Sequence, residues 1–271
     1  MDRQGNGEKA MSRPLAPPPN PSLPWRITSS AIMGITGLLS RGFLFGLNSV
    51  EVTGLDKFLA LLDSRRDPAK RERGLITVSN HVSVLDDPLI WGLLPLRYAF
   101  TPSNHRFSLG AHDICFTTPL LTTFFTHGQV LPAHRAKHSP HGGPFQPSLS
   151  EAWGVARLIL EAEPAPDVLP VFIDGTQRLM PEHRTFPRFL PRVGQEVRVA
   201  FGEVVDFEAT FGELRRRWQG LVGRCGAGAE ELREGEEARE IRKEVARRVR
   251  EEVLKEKRYR SGVDGSDINQ D

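Results

Sequence analysis

The run Asn80-His81-Val82-Ser83-Val84-Leu85-Asp86-Asp87-Pro88 sets an imidazole five positions ahead of a carboxylate. A carboxylate that accepts from one ring nitrogen fixes the histidine tautomer and leaves the other nitrogen as a base for a hydroxyl. Residues five apart in a continuous helix do not share a face, so His81 and Asp86 meet only if His81 stands in a turn ahead of the helix. Pro88 suits a helix start, with Asp87 as its N-cap. Eight His and thirteen Asp make such a spacing commonplace. The plain alternative is a capping Asp86 or Asp87 beside a loop histidine.

Other chemistries leave less trace. The chain has no G-x-S-x-G elbow, H-E-x-x-H pair, Walker loop or paired C-x-x-C. His127, His134, His138 and His141 cluster, but the Gly, Pro and Lys137 around them read as an exposed loop, and no metal site is expected. Arg135 directly follows a short strand and has the fork geometry to hold a phosphate, although a surface ion pair is the commoner use of an arginine.

Alternating strands and helices must position these groups. Leu75–Ser79, Val130–Ala133, Val168–Ile173 and Glu196–Val205 read as strands, the last with Val197, Val199 and Phe201 on one face. Trp153–Glu161 reads as a helix between them, and strands spaced by helices indicate an α/β sheet whose sites lie beyond strand ends. Upstream, Ile27–Ser40 is uncharged between Arg26 and Arg41. It is too short to span a bilayer, and suits an interfacial segment or a core helix; Trp25 and Arg26 favour the membrane. Ile114–Leu131, also without a formal charge, poses the same choice between buried packing and a face dipping into lipid.

The 271 residues, 39% hydrophobic and 26% charged, suffice for one large domain. Two cysteines and a mean hydropathy of −0.34 exclude a disulfide scaffold and a polytopic membrane protein. A net charge of +2 gives no reason to expect nucleic acid as a partner. The chain divides into a Pro-rich tail over 1–24, read as disordered and without a clear targeting signal, a sheet domain over 25–210, a charged helical region over 211–260 and a disordered tail over 261–271. Between Glu230 and Arg260 ten Glu neutralise eleven Lys or Arg, while Ile241, Val245, Val249 and Val253 form a narrow apolar stripe for packing on the domain.

Taken together, several segments resemble the tafazzin family, in its fungal-type form, within the glycerolipid acyltransferase superfamily. They are Asn80 to Pro88 with Leu89-Ile90-Trp91-Gly92, Asp113-Ile114-Cys115-Phe116-Thr117, Gly128-Gln129-Val130-Leu131-Pro132 with Arg135, and Trp153-Gly154-Val155-Ala156-Arg157-Leu158-Ile159. The similarity runs from about Trp25 to Asp206. It implies a CoA-independent phospholipid–lysophospholipid transacylase, without a cofactor, that remodels cardiolipin using monolysocardiolipin and phosphatidylcholine. It also implies a peripheral or monotopic place on the mitochondrial inner and outer membranes, facing the intermembrane space. His81 would be the general base and Asp86 its orienting partner, with Asn80, Arg135 and Pro170 on the substrate. Direct attack by a hydroxyl explains why no serine or cysteine nucleophile is needed.

One block departs from the family. An F-P-E-G-like strand and turn should stand between Phe145-Gln146-Pro147 and Trp153-Gly154, where only Ser148 to Ala152 intervene. The expected fold is therefore an acyltransferase-like sheet flanked by helices, lacking one strand and carrying an extra C-terminal helix. An inactive lipid-surface protein and an acyl-CoA-dependent lysophospholipid acyltransferase stay open as alternatives.

Overall fold

Strand β5 (Asp167–Asp174) has apolar residues on both faces, and this sets the layers. Leu169, Val171 and Ile173 enter one core, while Val168 and Phe172 enter the other. A strand buried on both sides needs cover above and below, and helices provide it. The computed structural model describes residues 18, 20–133, 149–181 and 190–261. In chain order it comprises α1 (Leu23–Leu47), β1 (Ser49–Thr53), α2 (Leu55–Ser64), β2 (Leu75–Ser79), α3 (Asp86–Leu93), α4 (Leu96–Ala99) and β3 (Ser108–Ala111). Helices α5 (His112–Cys115) and α6 (Pro119–His127) lead to β4 (Val130–Ala133), and α7 (Leu149–Glu161) precedes β5. Then come α8 (Thr176–Leu179), β6 (Glu196–Phe201), α9 (Glu213–Cys225), α10 (Glu230–Glu234) and α11 (Glu236–Ser261).

The main sheet has the order β1-β6-β5-β2, and β3 and β4 form a separate parallel pair. In the main sheet β1 runs parallel to β6 and β2 parallel to β5, whereas β5 and β6 are antiparallel. This is the α/β sheet with flanking helices that the sequence pattern predicts. Among the described residues the outer edge of β2 has no strand neighbour. Strands at Leu75–Ser79 and Val130–Ala133 form with the expected bounds, and Val197, Val199 and Phe201 do share a buried face. The β6 strand stops at Phe201 instead of reaching Val205, although the chain runs on beside β5, where the Gly202 and Val205 N–H groups donate to the Pro170 and Val168 carbonyls with a one-residue offset.

Helix α1 lies on α3 through small residues. A Cβ on Gly92 would stand 2.7 Å from the Arg41 nitrogen, so only glycine permits this approach. Arg41 turns inward as well: its Nη1 donates to the carbonyls of Gly92, Leu93 and Leu94 at 3.3 to 3.4 Å, satisfying the C-terminal end of α3. Helix α1 continues through the expected end at Ser40. Its 25 residues, about 37 Å, are long enough by length and composition to cross a bilayer, where a shorter segment was expected. Ile27, Ile35, Leu38, Leu39 and Phe45 stay exposed on it, as do Leu120 and Phe124 on α6.

The C-terminal stripe packs as its spacing predicts. Ile241, Val245 and Val253 are buried in the second core with Trp218 and Ile159, and Val249 packs against it. Residues 1–17, 19 and 262–271, most of both expected tails, lie outside the described residues. So do Arg135 and the histidines at 134, 138 and 141. Leu23 and Pro24, assigned to the first tail by composition, open helix α1.

Candidate active site

The β2–β5 ladder ends at the pair Ser79 and Val171, and a side chain then continues it. Asn80 Nδ2 donates to the Ile173 carbonyl at 2.7 Å, and the Ile173 N–H donates to Asn80 Oδ1 at 2.8 Å. An amide side chain presents a donor and an acceptor side by side, so it reproduces the pairing of one more strand residue. The backbone is thereby released to turn while β5 runs on to Asp174.

In that turn His81 and Asp86 meet. His81 Nδ1 stands 3.0 Å from Asp86 Oδ2, with the imidazole half exposed and the carboxylate 3% exposed. The turn is shaped by the same carboxylate: Oδ2 accepts the N–H groups of Val82 at 2.7 Å and Ser83 at 2.8 Å. The Asp86 N–H in turn donates to the Ser83 carbonyl. The helix therefore begins at Asp86, two positions earlier than an Asp87 cap would set it, and Asp86 closes the preceding turn instead of capping α3. With Nδ1 directed at Asp86, Nε2 is the ring nitrogen whose lone pair can take a proton.

The two adjacent aspartates are sorted by their partners. Asp87 receives Arg106 Nη2 on its carbonyl and on Oδ1 at 2.5 Å, and the Arg106 guanidinium stacks 5.0 Å over the Trp91 ring. Asp86 alone faces His81. On its far side, Oδ1 accepts the Thr176 hydroxyl at 2.5 Å, with Thr176 1% exposed. Thr176 is brought there by Gly175, whose φ of +94° turns the chain sharply at the exit of β5. Sequence reasoning overlooked Thr176; the available signal was a Gly-Thr step at a strand exit, which has no fixed spacing to the His–Asp pair.

The remaining sequence candidates fall elsewhere. Pro170 is buried inside β5 opposite Val78, and its carbonyl accepts from Gly202. Arg135 lies outside the described residues. His127 Nδ1 meets the Thr123 carbonyl within α6, while its ring stacks on Trp25 at 5.5 Å and its carbonyl accepts the Ser29 hydroxyl at 2.7 Å, which joins α6 to α1. No cluster of three potential metal ligands occurs among the described residues. His105 is held near the site's flank by the Ala99 carbonyl at 3.0 Å, and burial pushes its pKa below the ordinary value.

A buried carboxylate paired with an imidazole that opens to solvent can withdraw a proton from a hydroxyl that then attacks an electrophile. Comparisons with known proteins agree with chemistry of that kind. The family model described as Acyltransferase matches residues 49–186. The chain is similar to tafazzin of Saccharomyces cerevisiae, 29% identical over 299 residues, covering 84% of this chain and 77% of the yeast protein. That alignment is longer than the chain itself, so the yeast protein has segments with no counterpart here. Tafazzin of Drosophila melanogaster is 31% identical over 223 residues, covering 73% of this chain and 57% of its own length. An N-acylphosphatidylethanolamine synthase of Arabidopsis thaliana is 30% identical, covering 59% of this chain and 64% of its own length.

Proposed function

The chain belongs to the acyltransferase family, and from that premise we propose that it moves acyl groups between phospholipids without CoA, as a transacylase of cardiolipin remodelling. The observation that carries this reading is the 3.0 Å approach of His81 Nδ1 to buried Asp86. A lysophospholipid hydroxyl, monolysocardiolipin in this reading, gives its proton to His81 Nε2 as its oxygen attacks the acyl carbonyl of a donor such as phosphatidylcholine. The tetrahedral intermediate collapses, the ester bond to the donor breaks, and the imidazolium returns the proton to the leaving oxygen. Asp86 orients the ring and stabilises its charge between the two steps.

Place and partners belong to the same proposal. Exposed apolar side chains on α1 and α6 support a peripheral or monotopic attachment to a membrane surface. The likeness to tafazzins supports a mitochondrial one, facing the intermembrane space. We propose Arg135 as a contact for lipid phosphate and Pro170 as shaping the acyl side.

The purified chain incubated with phosphatidylcholine and monolysocardiolipin in the absence of CoA should produce cardiolipin and lysophosphatidylcholine. Strict dependence on added acyl-CoA would transfer the same residues to an acyl-CoA acyltransferase. Absence of turnover under both conditions would favour an inactive lipid-surface protein, a reading motivated by the missing F-P-E-G-like block.

A further inference from the structure

We propose that Thr176 is the positioning residue of this site, holding Asp86 in the one orientation in which it can serve His81. The inference rests on the reading of His81 as the base and adds a residue to it. Three partners of the Asp86 carboxylate, the Val82 and Ser83 N–H groups and the His81 ring, all meet Oδ2 and all belong to the same short turn. Bonds within a turn move with the turn and do not fix it to the sheet. Thr176 is ninety positions away, on the exit of β5, and supplies, among the described residues, the bond to Oδ1 at 2.5 Å. A hydroxyl to an ionised carboxylate at that separation is a short charge-assisted bond. It ties the turn to β5 from the far side of the carboxylate, while Asn80 ties the chain to β5 just ahead of His81.

The surroundings offer Oδ1 no substitute for the hydroxyl. Asp86 and Thr176 both border a void of about 10 Å³ whose other walls are apolar, among them Leu89, Ile173 and Val197. Without the hydroxyl, nothing apolar in that wall can hold Oδ1, and the carboxylate can rotate away from His81 Nδ1. A valine methyl fits where the hydroxyl stood, so Thr176→Val removes the donor and little else.

The test measures kcat and KM for transacylation, and records imidazole nitrogen NMR spectra of His81 in protein labelled at histidine. Thr176→Val should lower kcat about tenfold to a hundredfold, the scale of a lost hydrogen bond to a charged group, with KM within about twofold. Thr176→Ser should restore kcat to within about threefold of the parent, and Thr176→Cys, a weaker donor, should fall between them. The His81 spectrum should show Nδ1–H held in the parent and in the Ser variant, and tautomer exchange in the Val variant. A Val variant with parental kcat, a Ser variant as impaired as Val, or an unaltered His81 spectrum in the Val variant overturns the proposal. A merely structural threonine would lower stability without separating kcat from KM or Ser from Val. If the Val variant does not fold, the order of Ser and Cys decides. If the parent chain shows no turnover, the transacylase reading fails by itself, and the spectra alone decide the role of Thr176.

Discussion

The side chain of Asn80 occupies both main-chain hydrogen-bonding groups of Ile173, so the strand pairing ends in a side chain and the turn bearing His81 starts from a fixed point. Asn80→Ala strands a part-buried N–H and carbonyl on β5. Urea unfolding should report a loss of about 1–3 kcal/mol. Asn80→Asp should be no better, since a carboxylate can accept from the Ile173 N–H but repels its carbonyl.

His81 and Asp86 should separate activity from stability. His81 is half exposed, so His81→Gln should change the unfolding free energy by no more than about 0.5 kcal/mol while lowering kcat by about 10² to 10⁴. Asp86→Asn should lower both. Its amide either offers an N–H to the Val82 and Ser83 donors or turns that N–H to the Thr176 hydroxyl, and only one oxygen remains for four donors. Kinetics and thermal melts on the two variants check the asymmetry.

Gly92 and Gly46 make a matched pair on the α1 side. Gly92→Ala places a methyl 2.7 Å from the Arg41 nitrogen and should destabilise by about 1–3 kcal/mol as α1 is forced off α3. Gly46→Ala meets nothing within 4 Å and lies inside α1, so it should stabilise by about 0.5–1 kcal/mol. Calorimetric Tm shifts of opposite sign are the expected result.

His105 should make stability fall in mild acid. Burial depresses its folded pKa below the ordinary 6.5, although the Ala99 carbonyl pulls the other way. The unfolded chain then takes the proton first, so the stability contributed by the neutral ring is intact above 6.5 and is lost as pH falls through the folded pKa. Melts between about pH 7.5 and 5 should show a steeper decline of Tm in the parent than in His105→Gln.

The exposed apolar face should carry membrane affinity without carrying the fold. Leu39 is 68% exposed and Leu120 81% exposed. Replacing each by Asp should leave the Tm nearly unchanged and lower sedimentation with phosphatidylcholine vesicles by about tenfold or more. Undiminished sedimentation of the double variant would sink the assignment of this face to lipid.

Periodicity and strand-end chemistry made much of this molecule legible in advance. Leu75–Ser79 was readable because a compact apolar run ends abruptly at Asn80, and the α11 stripe because valines repeat every four residues. Strands β1 and β3 were not, being five and four residues long without an apolar run. At the site, spacing singled out His81 and Asp86 and gave Asp87 the cap, but it could not show what holds the two aspartates apart. What separates them is Arg106, from a later segment, which pairs with Asp87. Thr176 was invisible for the same reason: its contact spans ninety positions, and no local pattern records a contact of that range.

The division of the molecule into two sheets has a bearing on how such a chain can change. The bonds that hold Asn80 and Asp86 come from the β2–β5 pair, the turn between β2 and α3, and the first residue of α8. None comes from β3 or β4 among the described residues. These anchors of the His81 turn thus lie apart from the smaller sheet, and alterations there can remodel what the protein grips while leaving the anchors in place. Loss of turnover and loss of the His–Asp geometry are separate events in this architecture, and a chain can undergo the first without the second.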